Sequence, residues 1–184
     1  MAVCTHRSGT VAPRARHIGH STDRQGLTPC RQGSAHMFAG EYLCKLDEKG
    51  RFIIPSPIRE LVQAQGNGVV FLKGEHSVLI YSSAEWAKLL DKTKDKLDDD
   101  QKRLFMHFVV SEIGTSDVDK AGRVLIPGRF RKLVPVEDDL EITLVGLYNH
   151  MEAWNPSTWR RYLSQTEDKN EQNLNKIYDL LSST

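Results

Sequence analysis

An α+β fold, made of two tandem strand–turn–strand units with helices between and after them, is predicted by three observations. Asp47-Glu48-Lys49-Gly50-Arg51 returns as Asp119-Lys120-Ala121-Gly122-Arg123, and each copy is followed by a short β-prone run. A shift of 72 residues also superposes Ile54 on Ile126, Pro55 on Pro127, Arg59 on Arg131, Leu61 on Leu133 and Val62 on Val134, far too many identities in one short window for chance. Segments with helical periodicity fill the gap between the copies and the end of the chain.

Residues 1–36 carry five arginines against the single Asp23, a net of +4 within a chain of +1, so the part from Met37 onward is net negative. This stretch has no hydrophobic period of either kind and cannot bury enough apolar surface to order itself. It reads as a disordered basic leader: an arm touching nucleic acid, a vector-derived segment, or the product of a misassigned start with Met37 as the natural first residue. The last two are favoured because patterned sequence begins abruptly at Met37-Phe38.

The first unit, 41–84, opens with the strand Glu41 to Leu46, turns through Asp47 to Arg51, and continues as Phe52-Ile53-Ile54. Glycine supplies a positive φ without steric cost, and aspartate bonds backbone N–H groups two residues on, so D-x-x-G specifies a tight turn. Pro57 with Ile58, Leu61 and Val62 gives a short helix, which Gly66-Asn67-Gly68 ends. Two strands follow, Val69–Leu72 and Val78–Tyr81. A connector, 85–111, holds a helix capped by the Ser82-Ser83-Ala84-Glu85 pattern and carrying Trp86, Leu89 and Leu90, then a second capped near Asp98 with Leu104, Phe105, Phe108 and Val109 on one face.

The second unit, 112–157, repeats the first. Leu72/Leu144 and Gly74/Gly146 keep the offset of 72 whereas Trp86/Trp159 differ by 73, which places one inserted residue in the later hairpin. Asn155 with Pro156 is an N-cap followed by proline at the first helical position. Units of about 45 residues are too small for good separate cores, so they pack on each other or exchange strands with a partner. The final region, 158–184, is helical, and Leu174, Ile177, Tyr178 and Leu181 form a stripe expected to pack on the body, with a neighbouring subunit as the other option.

The composition excludes several function classes. No apolar run approaches the roughly 20 residues of a spanning helix, and no secretory h-region is present, which predicts a cytoplasmic protein without a membrane partner. Cys4, Cys30 and Cys44 share no metal-ligand spacing. No catalytic or metal-binding motif accompanies the seven histidines, and His107, on an apolar helix, reads as a packing residue. The chain is therefore expected to be no enzyme and to need no cofactor, metal or small-molecule substrate.

An arginine placed directly after a tight turn projects from a β-ribbon, and such a ribbon fits the major groove. Arg51 and Arg123 are the candidate base-reading residues, because a guanidinium can bond guanine O6 and N7 together. Lys45, Lys49, Lys120, Arg59 and Arg131, with Arg129 and Lys132 nearby, are candidates for phosphate contacts. Asp47, Gly50, Asp119 and Gly122 are assigned to shaping the turns and orienting the arginines, since a carboxylate repels phosphate.

The repeated strand, D-x-x-G-R turn, strand, proline and short helix resembles the swapped-hairpin DNA-binding modules of the AbrB type. With Met37-Phe38-x-Gly40-Glu41-Tyr42 at the start, the R-x-x-I-P runs at Arg51 to Pro55 and Arg123 to Pro127, and the late Trp154 and Trp159, residues 37–163 resemble the MraZ family. The resemblance implies a pseudo-symmetric small β-barrel of two swapped hairpins. It also implies a homo-oligomeric, ring-like transcriptional regulator, usually a repressor, that binds double-stranded DNA at promoter repeats upstream of division and cell-wall genes. The alternative is an antitoxin-type or purely oligomeric scaffold protein with the same hairpins.

Overall fold

The same five backbone and side-chain bonds close both turns, and around them the chain builds one antiparallel sheet and one separate ribbon. The computed structural model describes Thr5–His6 and residues 37–135 and 140–183. Nine strands and five α-helices are present among these residues: β1 (Thr5–His6), β2 (Phe38–Lys45), β3 (Arg51–Ile53), α1 (Ser56–Ala64), β4 (Gly68–Lys73), β5 (Val78–Ser82), α2 (Ser83–Lys94), α3 (Asp99–Phe108), β6 (Gly114–Asp117), β7 (Arg123–Leu125), α4 (Gly128–Arg131), β8 (Glu141–Tyr148), β9 (His150–Trp154) and α5 (Pro156–Ser182).

The larger sheet runs β1-β2-β8-β9-β5-β4-β6, and β3 pairs with β7 in a two-stranded ribbon. Leaving β1 aside, that order maps onto its own reverse when the two units are exchanged. The first strand of each unit pairs with the other unit's strand: β2 with β8, and β6 with β4. β5 and β9 meet at the centre. One core results, in which Phe52, Ile54, Ile58, Val62 and Phe71 of the first unit pack with Val124, Ile126, Phe130, Ile142 and Leu144 of the second. This is how two halves too small for separate cores obtain a common one.

The caps fall where side-chain chemistry puts them. Ser82 accepts from the Glu85 backbone N–H at the start of α2, Asp98 and Gln101 form a reciprocal capping box on α3, and Asn155 Oδ1 accepts from the N–H groups of Ser157 and Thr158. α5 continues as far as Ser182 and is interrupted by non-helical angles at Asn170.

Four expectations are corrected. The inserted residue does not lie in the later hairpin. In the first hairpin Lys73 pairs with Val78, and in the second Gly146 pairs with Met151, so both strands are displaced by 73 and the hairpins are equal in length. The extra residue precedes β8. A one-residue slip would turn the buried face outward, and burial of Val69/Phe71 and Ile142/Leu144 fixes the alignment that the Leu72/Leu144 identity obscures.

His107 is exposed rather than packed. The α5 stripe is not covered by the body: Ile177, Tyr178 and Leu181 are 50%, 62% and 71% exposed, and on α3 Leu104 and Phe108 are exposed as well. Within the predicted disordered leader, Thr5–His6 forms a strand on Tyr42 and Leu43, while the other residues of 1–36 lie outside the described ones.

Candidate nucleic-acid interface

Each turn is a small hydrogen-bonded device built on one aspartate. The Asp47 backbone N–H donates to the Arg51 carbonyl at 2.8 Å and its own carbonyl accepts from the Gly50 N–H at 2.8 Å. Asp47 Oδ1 accepts from the backbone N–H groups of Lys49 at 3.0 Å and Arg51 at 2.9 Å. Its Oδ2 takes Arg51 Nε at 2.7 Å and Nη2 at 2.7 Å. The second turn repeats the pattern: Asp119 Oδ1 accepts from Ala121 and Arg123 N–H groups at 2.8 and 2.9 Å, and Oδ2 takes Arg123 Nε at 2.8 Å.

Gly50 and Gly122 have φ of +80° and +77°. An L-residue rarely adopts that conformation, which is why glycine stands three residues after each aspartate.

The backbone bonds from Arg51 and Arg123 are the largest influence holding the Asp47 and Asp119 carboxyls below the usual aspartate range, with the guanidinium contacts adding to them against an opposing contribution from desolvation. The carboxylate holds the Nε side of each guanidinium. A planar group with five N–H donors bound along that edge retains its far edge for another acceptor.

The ribbon sets the spacing. Arg51 pairs with Leu125, Phe52 with Val124 and Ile53 with Arg123. Alternation puts Phe52 and Val124 into the core and leaves Arg51, Ile53, Arg123 and Leu125 on the opposite face. Arg51 and Arg123 are thus diagonal neighbours on one surface, about 7–8 Å apart by ordinary sheet geometry with their Cβ atoms somewhat closer. Their side chains are 30% and 40% exposed.

The remaining cations divide unevenly. Lys49 and Lys120 are exposed in the turns themselves. Lys45, at the end of β2, stands opposite Glu141 on β8. Arg131 Nη1 donates to the Lys49 carbonyl at 3.2 Å, reaching the first turn from the second unit's helix. Arg59 lies against Gly122 of the second turn, and Arg59 Nη2 is 3.5 Å from Ser56 Oγ. The sequence places Arg59 with Arg51 and Arg131 with Arg123; the fold exchanges them. Arg129 turns away from both turns: its Nη2 donates to the Ile113 carbonyl ahead of β6, and its guanidinium lies 4.9 Å from the Phe130 ring centre.

Sequence reasoning used Leu144, Gly146 and Trp154 of the later hairpin only as marks of repeat and family and gave them no role, whereas the chain assembles a polar cluster there. Trp154 Nε1 donates to Glu152 Oε2 at 2.7 Å, His150 Nε2 is 3.6 Å from Glu152 Oε1, and the His150 ring stacks on Tyr81 at 4.9 Å. Burial pushes the Glu152 carboxyl up, but bonds from His150 and Trp154 and the attraction of His150 bring it below the ordinary range. The alternation of His150, Glu152 and Trp154 along one strand face was the available signal.

Comparison with known proteins decides the family. The family model described as "MraZ protein, putative antitoxin-like" matches residues 37–108 and 113–179, which encloses both turns and both ribbon strands. The chain belongs to the MraZ family. A protein named "Transcriptional regulator MraZ" from Desulforamulus reducens is 34% identical over 147 residues, covering 79% of this chain and all of that protein. MraZ relatives of the same name from Pediococcus pentosaceus and Acetivibrio thermocellus are 35% and 36% identical, covering 72% and 68% of this chain and 90% and 86% of their own lengths. The two MraZ matches meet within the connector, between α3 and β6. Among the described residues no helix is long and apolar enough to cross a membrane.

Proposed function

We propose that this MraZ-family chain is a sequence-specific, non-enzymatic transcriptional regulator, a repressor that acts in the cytoplasm at the nucleoid. It grips double-stranded DNA at promoter repeats upstream of division and cell-wall genes, as a ring-like homo-oligomer without cofactor or small-molecule substrate. The observation that carries this reading is the placement of Arg51 and Arg123 on one outward face of the β3–β7 ribbon, each with its Nε held by a turn aspartate.

In this reading the ribbon enters the major groove and the free edges of the two guanidiniums bond guanines, a contact worth roughly 1–3 kcal/mol of discrimination each. Asp47, Gly50, Asp119 and Gly122 fix the turns. Lys49, Lys120, Lys45, Arg59 and Arg131 bind phosphates, which sets position without reading bases. The reciprocal pairing of β2 with β8 and β6 with β4 supports a pseudo-symmetric barrel of two swapped hairpins. Two modules touch few base pairs, so firm binding comes from several copies acting at high effective concentration. The exposed stripes on α3 and α5 supply apolar surface for that assembly.

Fluorescence anisotropy with a duplex carrying the repeats upstream of the chain's own gene tests the reading. Arg51→Ala with Arg123→Ala is expected to abolish sequence preference and leave assembly intact. Retained wild-type preference in the double variant refutes it. The wording "antitoxin-like" attached to the family model favours a second reading, a toxin-binding or scaffold role; a scaffold gives no steep loss of duplex affinity with salt, because no counterions are released.

A further inference from the structure

We infer that each DNA-reading turn is a composite of both units, with Arg131 acting together with Arg51, and Arg59 together with Arg123. The inference rests on the regulatory reading above and assigns its phosphate-binding arginines to specific partners.

Three observations carry it. A Cβ placed on Gly50 would lie 2.5 Å from both Cδ and Nη1 of Arg131, and one on Gly122 would lie 2.5 Å from Nη1 and 2.7 Å from Cδ of Arg59. Each turn glycine is therefore roofed by an arginine that the opposite half supplies, and both glycines are buried beneath these side chains. The backbone is joined in the same crossed sense: the Ile54 N–H donates to the Gly122 carbonyl at 2.9 Å, and the Ile126 N–H to the Gly50 carbonyl at 3.1 Å. On the first turn the link extends to the side chain, through Arg131 Nη1 and the Lys49 carbonyl.

The crossing has an electrostatic consequence. Arg51 and Arg123 are each matched by a turn carboxylate, so a turn alone brings little surplus charge to a phosphate. Within the first turn Lys49 is offset by Glu48, and the second turn adds Lys120; the roofing arginine contributes a further positive charge beside the base-reading group of each turn, and it does so only when the halves are assembled. Arg131 and Arg59 are positioning residues for the turn they cover as well as phosphate contacts. Glycine at 50 and 122 thus serves two ends at once, the left-handed backbone and the room for a guanidinium from across the ribbon.

Anisotropy titrations of the full chain on the duplex with its upstream repeats, at two salt concentrations, test the assignment through double-mutant cycles. Arg51→Ala with Arg131→Ala is expected to depart from the product of the single effects by roughly three-fold or more, whereas Arg51→Ala with Arg59→Ala stays within about two-fold of it. The pairs built on Arg123 reverse this. Arg131→Lys keeps the charge and restores most of the affinity, which a packing role alone does not predict. Without DNA, hydrogen–deuterium exchange is expected to quicken at residues 47–51 in Arg131→Ala and at residues 119–123 in Arg59→Ala.

Coupling that follows sequence order, or exchange that quickens in the turn of the same unit, overturns the assignment while loss of preference in Arg51→Ala with Arg123→Ala keeps the regulatory reading intact. Absence of salt-dependent duplex binding by the wild-type chain overturns both.

Discussion

Phe52 stands directly opposite Val124 at the middle of the β3–β7 ribbon, and both side chains are buried, 1% exposed each. The pair is the point where the two units share one interior, and it lies directly behind the surface that carries Arg51 and Arg123.

Phe52→Ala removes a ring from this shared core and is expected to destabilise the chain by about 3–5 kcal/mol, the usual cost of an aromatic cavity. Because the core is common, the loss is felt by both halves. Urea denaturation of variants that keep a single tryptophan, either Trp86 in the cluster beside the first unit or Trp159 in the cluster beside the second, is expected to give coincident transitions at a lowered midpoint. Transitions that separate contradict the single core.

Gly122→Ala places a side chain at φ +77° and against Arg59. The left-handed backbone alone costs about 1–2 kcal/mol, to which displacement of the arginine adds. Thermal melts of Gly122→Ala and Gly50→Ala are expected to show the same penalty. Gly128→Ala, at the start of α4, is expected to show none of it.

The turn aspartates predict a pH dependence whose sign is fixed. A carboxyl held below its unfolded pKa stabilises the fold above that unfolded value and ceases to do so as pH falls through the folded one. Asp47 and Asp119 are both lowered, and Glu152 is lowered as well. Stability is expected to be level near neutrality and to decline below about pH 4, where aspartates of ordinary pKa take up protons. Melting temperatures recorded across that range for Asp47→Asn with Asp119→Asn are expected to start lower and to fall less steeply than those of the wild type.

Glu152→Ala strands the Trp154 indole N–H, which now donates to the carboxylate at 2.7 Å. A half-buried donor left without its acceptor costs about 1–3 kcal/mol. Chemical denaturation measures the loss, and the tryptophan emission of the Trp154, Trp159 and Tyr162 cluster is expected to shift with it.

What was legible in the sequence is what local chemistry decides. Asp47 and Asp119 announce their turns because their bonds reach only two and four residues along the chain, and Ser82, Asp98 and Asn155 announce their helices for the same reason. Pairing between distant strands leaves no such mark. The identities Leu72/Leu144 and Gly74/Gly146 indicated an offset of 72, yet the hairpin register obeys 73, since burial of alternate residues outweighs a coincidence of type. The exchange of Arg59 and Arg131 between turns was hidden too: repeat periodicity specifies each helix but not which turn it will cover. The α5 stripe read correctly as an amphipathic helix, though periodicity alone cannot say that Ile177 and Leu181 face away from the body.

The crossed pairing also governs when the molecule can take shape as it is made. β3 has no partner until residues 123–125 have left the ribosome, and β2, flanked before then by the two-residue β1 alone, waits for residues 141–148, so the emerging first half holds strand edges open. Contacts so distant along the chain are slow to form, and an unpaired edge is a surface on which other polypeptides aggregate. A translational pause before β7 prolongs that exposure, and one after β8 does not.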